Sequence, residues 1–122
     1  MVNARHYYEN SQDTLRKREF AKAGELLWGA IAETAKALYL KDYGEPIDSH
    51  YGIRDFLNSL SSSYRRTDLK KWKRSADDLH VNFYETHLDE PTFLEMYTDG
   101  VKLLEFLTSL LRKSRKRQNL QS

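Results

Sequence analysis

Four polar side chains recur at helical spacing in the second half of the chain: Lys73, Asp77, His80 and Tyr84. Steps of four, three and four residues place them on one stripe of a regular helix. A carboxylate one turn before a histidine can orient the imidazole, and a tyrosine one turn later can donate a hydrogen bond. Such a stripe is suited to acid–base chemistry. The alternative is a satisfied polar group at the edge of a packing face, and spacing alone favours that reading.

A further carboxylate, Glu25, lies inside an apolar stretch of an earlier segment. It can face the same cleft and pair with Lys73, Arg74 or His80. The alternative is a rim carboxylate at the protein surface, and the two readings carry equal weight because buried, unpaired carboxylates are rare. Glu25 is therefore a candidate ligand-binding residue together with the members of the stripe.

Three other residues could also serve either the site or the packing of the core. His50 can be a second polar group near the site, although packing or a contribution to a helix cap is the favoured reading. Trp28 and Trp72 can stack on nucleic-acid bases, as aromatic residues do in single-strand binders. Both tryptophans fall on apolar seams, which favours core packing for each.

The composition excludes several kinds of site. The chain has no cysteine, which rules out disulfides, thiolate metal ligands and a cysteine nucleophile. Its four histidines show no tight ligand spacing, so we expect no metal site and no cofactor. The polar N-terminus resembles no secretory signal, and no apolar run is long enough to cross a membrane. These features predict a cytoplasmic protein without a membrane partner.

The positive charge is unevenly distributed. The formal net charge is +2, yet residues 112–117 contain five basic residues and no acidic one. A second basic cluster at residues 64–74 holds six basic residues against Asp68 alone. Local basic patches on a nearly neutral body suggest an anionic partner. For residues 112–117 taken alone, a solvated tail is the favoured interpretation.

The apolar periodicity is helical throughout the chain. Both prolines, Pro46 and Pro91, fall between periodic segments. Gly44 and Pro46 should end the second helix, Asp48 or Ser49 should cap the third, and Thr67 should cap the fourth. The fourth helix carries an apolar packing seam that ends at Phe83. The first, second and fifth predicted helices cover about residues 4–16, 19–42 and 91–112. The third carries Ile53, Phe56, Leu57 and Leu60, and the fourth has Asp68 in its first turn.

These segments predict one all-α domain over residues 1–122, an up-and-down bundle of about five helices, with residues 113–122 as a flexible basic tail. Short connections make consecutive helices antiparallel neighbours. The second helix is apolar on more than one side, so we expect it at the centre of the bundle.

Two parts of the sequence resemble a known family. Arg74, five residues and then His80, followed by Tyr84, is similar to the Arg…His signature of HEPN domains, which are small helical bundles. More specifically, residues 23–30 (AGELLWGA) and 79–85 (LHVNFYE) resemble the archaeal PaREP group, usually assigned a HEPN-like fold. The resemblance extends from the first helix to the middle of the fifth.

The resemblance implies three functions. The first is a nucleotide-binding or RNA-binding interaction module without an assigned activity. The second is a metal-independent endoribonuclease in which His80 is the acid or base and Arg74 stabilises the phosphate, at a cleft between two subunits of a homodimer. The third is a non-catalytic partner of a small nucleotidyltransferase. Arg74 lies about 120° from His80 around a straight helix, where Lys73 aligns instead, so Arg74 needs a bend or a dimer interface.

Overall fold

The computed structural model of the chain describes residues 2–47 and 49–121. These residues form five α-helices and no strand, which confirms the predicted helical bundle. The helices are α1 (Val2–Arg16), α2 (Phe20–Tyr43), α3 (His50–Ser63), α4 (Asp68–Glu85) and α5 (Glu90–Gln121). No helix among these residues is both long enough and apolar enough to cross a bilayer.

Helix α2 is the centre of the bundle, as its broad apolar surface predicts. It packs against all four other helices, and ten of its residues are buried. Such a helix has little exposed surface, because neighbours cover it on several sides. Any polar side chain on α2 therefore lies close to another helix, which matters for Glu25.

Two glycines allow the central helices to approach closely. A Cβ atom on Gly24 of α2 would lie 3.0 Å from the ring of Phe93 and 3.3 Å from a methyl of Leu79. A Cβ atom on Gly100 of α5 would lie 2.8 Å from a methyl of Leu27. At both positions the glycine backbone packs directly against side chains of a neighbouring helix, and an added Cβ atom would force those side chains to shift.

Contacts along neighbouring helices give their relative directions. Tyr7 lies over Gly29, and Ser11 contacts Ala23, so α1 and α2 are antiparallel. The contacts between α4 and α5 also run in opposite order along the two helices. Helix α3 does not run antiparallel to α2, in contrast to the prediction for consecutive helices. Its start meets Trp28 and its middle meets Tyr39, so the contacts follow the same order along both helices. The connection after α2 therefore brings the chain back beside the middle of α2.

The helix ends show which capping predictions hold. Gly44 has a left-handed backbone (φ 72°) at the end of α2, as predicted. Ser49 caps α3, because its hydroxyl accepts a hydrogen bond from the Gly52 backbone N–H at 3.0 Å. Asp48, the alternative cap, lies outside the described residues. Thr67 stands at the cap position of α4 but accepts no capping hydrogen bond through its side chain, so that prediction is wrong.

Two further details differ from the sequence prediction. Phe83, placed on the α4 seam, is 39% exposed, whereas its neighbour Asn82 is buried. The Asn82 side chain accepts a hydrogen bond from the Leu88 backbone N–H at 2.9 Å and so closes the turn after α4. Helix α5 continues to Gln121, through residues expected to be a tail.

Candidate functional site

The centre of the candidate site is a side-chain hydrogen bond between α4 and α2. The imidazole Nδ1 atom of His80 lies 2.8 Å from one carboxylate oxygen of Glu25 and 3.1 Å from the other. Both side chains are mostly buried, at 16% exposed for His80 and 26% for Glu25. Of the three partners that the sequence allowed for Glu25, the structure places His80 against it.

This contact determines which ring nitrogen of the neutral imidazole carries the proton. A carboxylate can only accept hydrogen bonds, so Nδ1 carries the proton and donates it to Glu25. The Nε2 atom then presents its lone pair. Among the described residues no protein group pairs with Nε2, and no buried side-chain nitrogen or oxygen lacks a partner. Nε2 therefore reaches solvent and is available to a ligand.

Trp28 of α2 and two histidines form a triangle of ring contacts. The Trp28 ring stacks on His80, with centroids 4.4 Å apart and planes 21° from parallel. His50 of α3 meets the same indole edge-on at 4.6 Å, and the two imidazoles lie 5.1 Å apart. We call Glu25, Trp28, His50 and His80 the histidine cluster. Trp28 is buried, as expected for a residue that packs in the core. Its ring also fixes the orientation of His80, which core packing alone did not predict.

Tyr84 lies at the rim of the histidine cluster. Its side chain is 71% exposed, and its ring meets that of His80 edge-on at 5.7 Å. No hydrogen bond joins the two side chains within the described part of the chain. Tyr84 thus lies beside His80, as the stripe predicts, but it contacts the imidazole through its ring and donates no hydrogen bond to it.

Asp77 has a different role from the one that its spacing suggested. Its carboxylate lies 3.3 Å from Nζ of Lys73 and 3.7 Å from Nε of Arg54. No hydrogen bond or ion pair among the described residues joins Asp77 to His80. Glu25 orients the imidazole instead, and Asp77 holds two cations beside the histidine cluster. We call Lys73 and Arg54 the cation pair, and with Asp77 they carry one net positive charge.

Arg74 is not brought together with His80 in one chain. Helix α4 is continuous over both positions, so no bend turns Arg74 toward the cluster. Arg74 is exposed, and no described hydrogen bond, ion pair or ring contact involves it. Its neighbour Ser75 is buried and donates a hydrogen bond to Asp99 of α5 at 2.8 Å, which fixes the rotation of α4.

A cavity of about 250 Å³ adjoins the histidine cluster between α1, α2 and α3. It shares Glu25, Trp28 and His50 with the cluster, and Tyr7 and Glu33 also line it. Sequence reasoning did not find this cavity, because its walls come from three helices whose relative placement no local pattern encodes. In the described part of the chain no group of three or more imidazoles and carboxylates is arranged to hold a metal ion.

Comparisons with known proteins give a family and a fold. The sequence profile of the Archaeal PaREP1/PaREP8 family matches residues 1–104, which include every residue of the histidine cluster and the cation pair. A crystal structure of a protein from Sulfolobus solfataricus is similar, with a TM-score of 0.74 and 25% sequence identity. The similarity covers 91% of this chain and 98% of that one. None of the curated proteins matches this chain.

Proposed function

We propose that this chain, which belongs to the archaeal PaREP1/PaREP8 family, is a HEPN-like module that binds nucleotides or RNA at the histidine cluster. One observation carries the proposal: Glu25 anchors Nδ1 of His80 and leaves Nε2 without a partner among the described residues, one helical turn from the Asp77 carboxylate that holds the cation pair. An oriented imidazole accepts a proton from a hydroxyl or, when protonated, donates to a phosphate oxygen. Ribose hydroxyls and phosphates together identify nucleotides as the ligand class.

The cation pair supports a phosphate ligand. The Asp77 contacts with Lys73 and Arg54 are 3.3 Å and 3.7 Å long, and Arg54 is 46% exposed. The longer contact with the more exposed Arg54 is weak, so Arg54 can turn to a phosphate at little cost, whereas the mostly buried Lys73 stays close to Asp77. The basic cluster at residues 64–74 includes Lys73 and supplies further positive charge at the start of α4.

The test is the salt dependence of RNA binding. We expect fluorescence anisotropy with a labelled single-stranded RNA to show affinity that falls as salt rises. Replacing both members of the cation pair, Lys73→Gln with Arg54→Gln, should lower the slope of log affinity against log salt by about 1.4 if each contacts one phosphate. Lys102→Gln, an exposed charge on α5, is the matched control. Absence of binding at low salt would refute the proposal.

A second candidate function, a metal-independent endoribonuclease, is favoured by the contact between His80 and Glu25. Nε2 of His80 can take the proton of a ribose 2′-hydroxyl, whose oxygen then attacks the adjacent phosphorus. The products are a 2′,3′-cyclic phosphate and a 5′-hydroxyl, which takes up a proton as it leaves. Arg74 can stabilise the phosphate only from a second copy of the chain, which makes a homodimer part of this proposal.

Cleavage of RNA in EDTA distinguishes the two functions. An active enzyme should lose cleavage in His80→Ala and keep it in His87→Ala, an exposed histidine outside the cluster. If Arg74 acts across a dimer, mixing inactive His80→Ala with inactive Arg74→Ala protein should restore part of the activity. Equal cleavage by the wild type and His80→Ala would assign the activity to a contaminant. No cleavage by the wild type would leave binding without catalysis.

A further inference from the structure

We propose that the cavity between α1, α2 and α3 is a subsite for a nucleobase, with guanine as its preferred base. This inference rests on the proposed nucleotide-binding function and adds which base the site selects. The cavity opens beside the histidine cluster, and it measures about 250 Å³. That volume lies just below the range of pockets that enclose whole drug-sized ligands, so it suits one base rather than a complete nucleotide.

Aromatic rings form two walls of this cavity. The Tyr7 ring lies over Gly29, where a Cβ atom would stand 3.6 Å from it, in ordinary contact. Trp28 contributes the second wall, and its position is fixed because His80 occupies one face of the indole. The Tyr7 ring is 38% exposed and provides a surface on which a planar base can stack.

The polar groups of the cavity select among bases. Its lining includes the carboxylates of Glu33 and Glu25, and Glu25 already accepts from His80. Glu33 therefore remains as the acceptor for a base. A carboxylate has two oxygens and no proton to donate, so it prefers an edge that carries two adjacent donors. Guanine offers N1–H and the 2-amino group side by side, whereas uracil offers one N–H between two carbonyl oxygens.

Glu33 is free enough to serve this role. Its charged partner, Lys36, lies one turn away at 3.4 Å, and their side chains are 34% and 43% exposed. Such a surface pair contributes little to stability and can open when a base arrives. Lys36 also lines the cavity, so it stays near the base after the pair opens.

The charge distribution around the cavity matches the two ends of a nucleotide. Carboxylates and rings line the cavity, whereas the cation pair lies outside its lining, on α3 and α4. Arg54 follows His50 by four residues on α3, which places it about 6 Å further along that helix. A base in the cavity would thus direct its sugar toward the two imidazoles and its phosphate toward Arg54 and Lys73.

The experiment measures base preference within one RNA framework. Binding of a uridine heptamer is compared with that of two heptamers that carry guanine or inosine at the central position, by fluorescence anisotropy with the full chain. Inosine lacks only the 2-amino group of guanine. We expect the guanine heptamer to bind about tenfold more tightly than the other two, because a bidentate contact to a base edge commonly discriminates by that factor or more.

Variants assign the preference to the cavity. Glu33→Gln replaces one acceptor oxygen with an NH₂ donor, so it should reduce the guanine advantage to less than about twofold while binding of the uridine heptamer persists. Glu105→Gln, a carboxylate in a different groove on α5, should keep the full preference. Tyr7→Ala should weaken the guanine and inosine heptamers to a similar extent, since it removes a stacking wall.

Two results would overturn this inference, and they are distinguishable. Equal affinities for the three heptamers, or a guanine preference that survives in Glu33→Gln, would refute the base subsite and leave the proposed RNA binding intact. Absence of binding to all three heptamers at low salt would refute both. A preference that disappears in Glu33→Gln and persists in Glu105→Gln would support the guanine subsite.

Discussion

The Glu25 carboxylate determines which nitrogen of His80 carries the proton. Because the carboxylate lies 2.8 Å from Nδ1, we predict that neutral His80 is the Nδ1–H tautomer. The ¹⁵N chemical shifts of the two ring nitrogens report this tautomer directly in a histidine-labelled protein. In Glu25→Ala the preference should disappear, because no other described group accepts a hydrogen bond from Nδ1.

His50 supplies the internal control for this measurement. Its ring lies 5.1 Å from that of His80, yet no carboxylate pairs with it among the described residues, so its shifts should change little in Glu25→Ala. Glu33→Gln should leave His80 unchanged. A wild-type His80 in the Nε2–H form would mean that Glu25 does not orient the ring, and both proposed roles of Nε2 would fail.

How far the site could be predicted from sequence depends on the distance between its parts. Lys73, Asp77 and His80 belong to one helix, and their shared stripe follows from helical spacing. The pairing of His80 with Glu25 spans 55 positions, and spacing within a helix carries no information about it. The nearer carboxylate, Asp77, was the natural choice, but Arg54 of α3 and Lys73 engage it instead.

At the scale of elements, one hydrogen-bond chain joins three helices. The Ser11 hydroxyl of α1 donates to the carbonyl oxygen of Ala23 in α2, at 2.6 Å. Its single proton is thereby used, so the Tyr97 hydroxyl of α5 donates to Ser11, at 2.8 Å. Burial raises the pKa of the Tyr97 hydroxyl above its ordinary value. The folded bundle therefore favours neutral tyrosine at this position.

This raised pKa predicts a loss of stability in alkali. A folded-state pKa above the unfolded one gives a stabilising contribution that is complete below about pH 10 and is lost as the pH rises through the folded pKa. At pH 7, Tyr97→Phe should lower the free energy of unfolding by about 1 kcal/mol, the usual net value of one hydrogen bond. Above about pH 10 the difference between wild type and Tyr97→Phe should shrink.

Urea unfolding between about pH 7 and pH 11 measures this difference. Comparing the two proteins at each pH cancels the titration of groups that they share. Tyr51→Phe, at a side chain that is 73% exposed, should match the wild type at every pH. A Tyr97→Phe deficit that stays constant or grows as the solution becomes more alkaline would contradict the raised pKa.

The elements themselves were largely predictable because their signals are local. Gly44 and Ser49 mark helix ends through their own backbone and side-chain chemistry, and both perform as expected. Thr67 has a suitable side chain, but its backbone is helical (φ −72°, ψ −25°) and turns the hydroxyl away from the capping role. Asn82 replaces Phe83 in the buried seam because it closes the next turn, a contact that hydrophobic periodicity does not register.

At the scale of the whole molecule, the basic cluster at residues 64–74 begins beside the later part of α5. Arg66, just before α4, lies over the ring of Phe106 in α5, so the later part of α5 is near the start of the basic cluster. The last buried residues of α5 in the described part of the chain are Leu110 and Leu111. Five basic residues follow them in the sequence, within positions 112–117.

This arrangement predicts that the C-terminal cations add affinity for RNA without selectivity. Replacing Lys113, Arg115, Lys116 and Arg117 with glutamine removes four positive charges and changes the formal net charge from +2 to −2. We expect RNA binding to weaken and the slope of log affinity against log salt to fall by about 0.7 for each phosphate that these cations neutralise. Weakening should be uniform across the uridine, guanine and inosine heptamers, because charge contacts carry no base information.

Comparison with Glu33→Gln makes this prediction decisive. The variant with glutamine at positions 113, 115, 116 and 117 should bind RNA more weakly and keep the guanine preference. Glu33→Gln should instead lose the guanine preference and keep the slope of log affinity against log salt. Binding is measured by anisotropy at several salt concentrations, with circular dichroism to verify that the bundle remains helical. Unchanged affinity would place all RNA contacts on the body of the bundle. Disappearance of the guanine preference would show that the tail contributes to base recognition, which a purely electrostatic role does not allow.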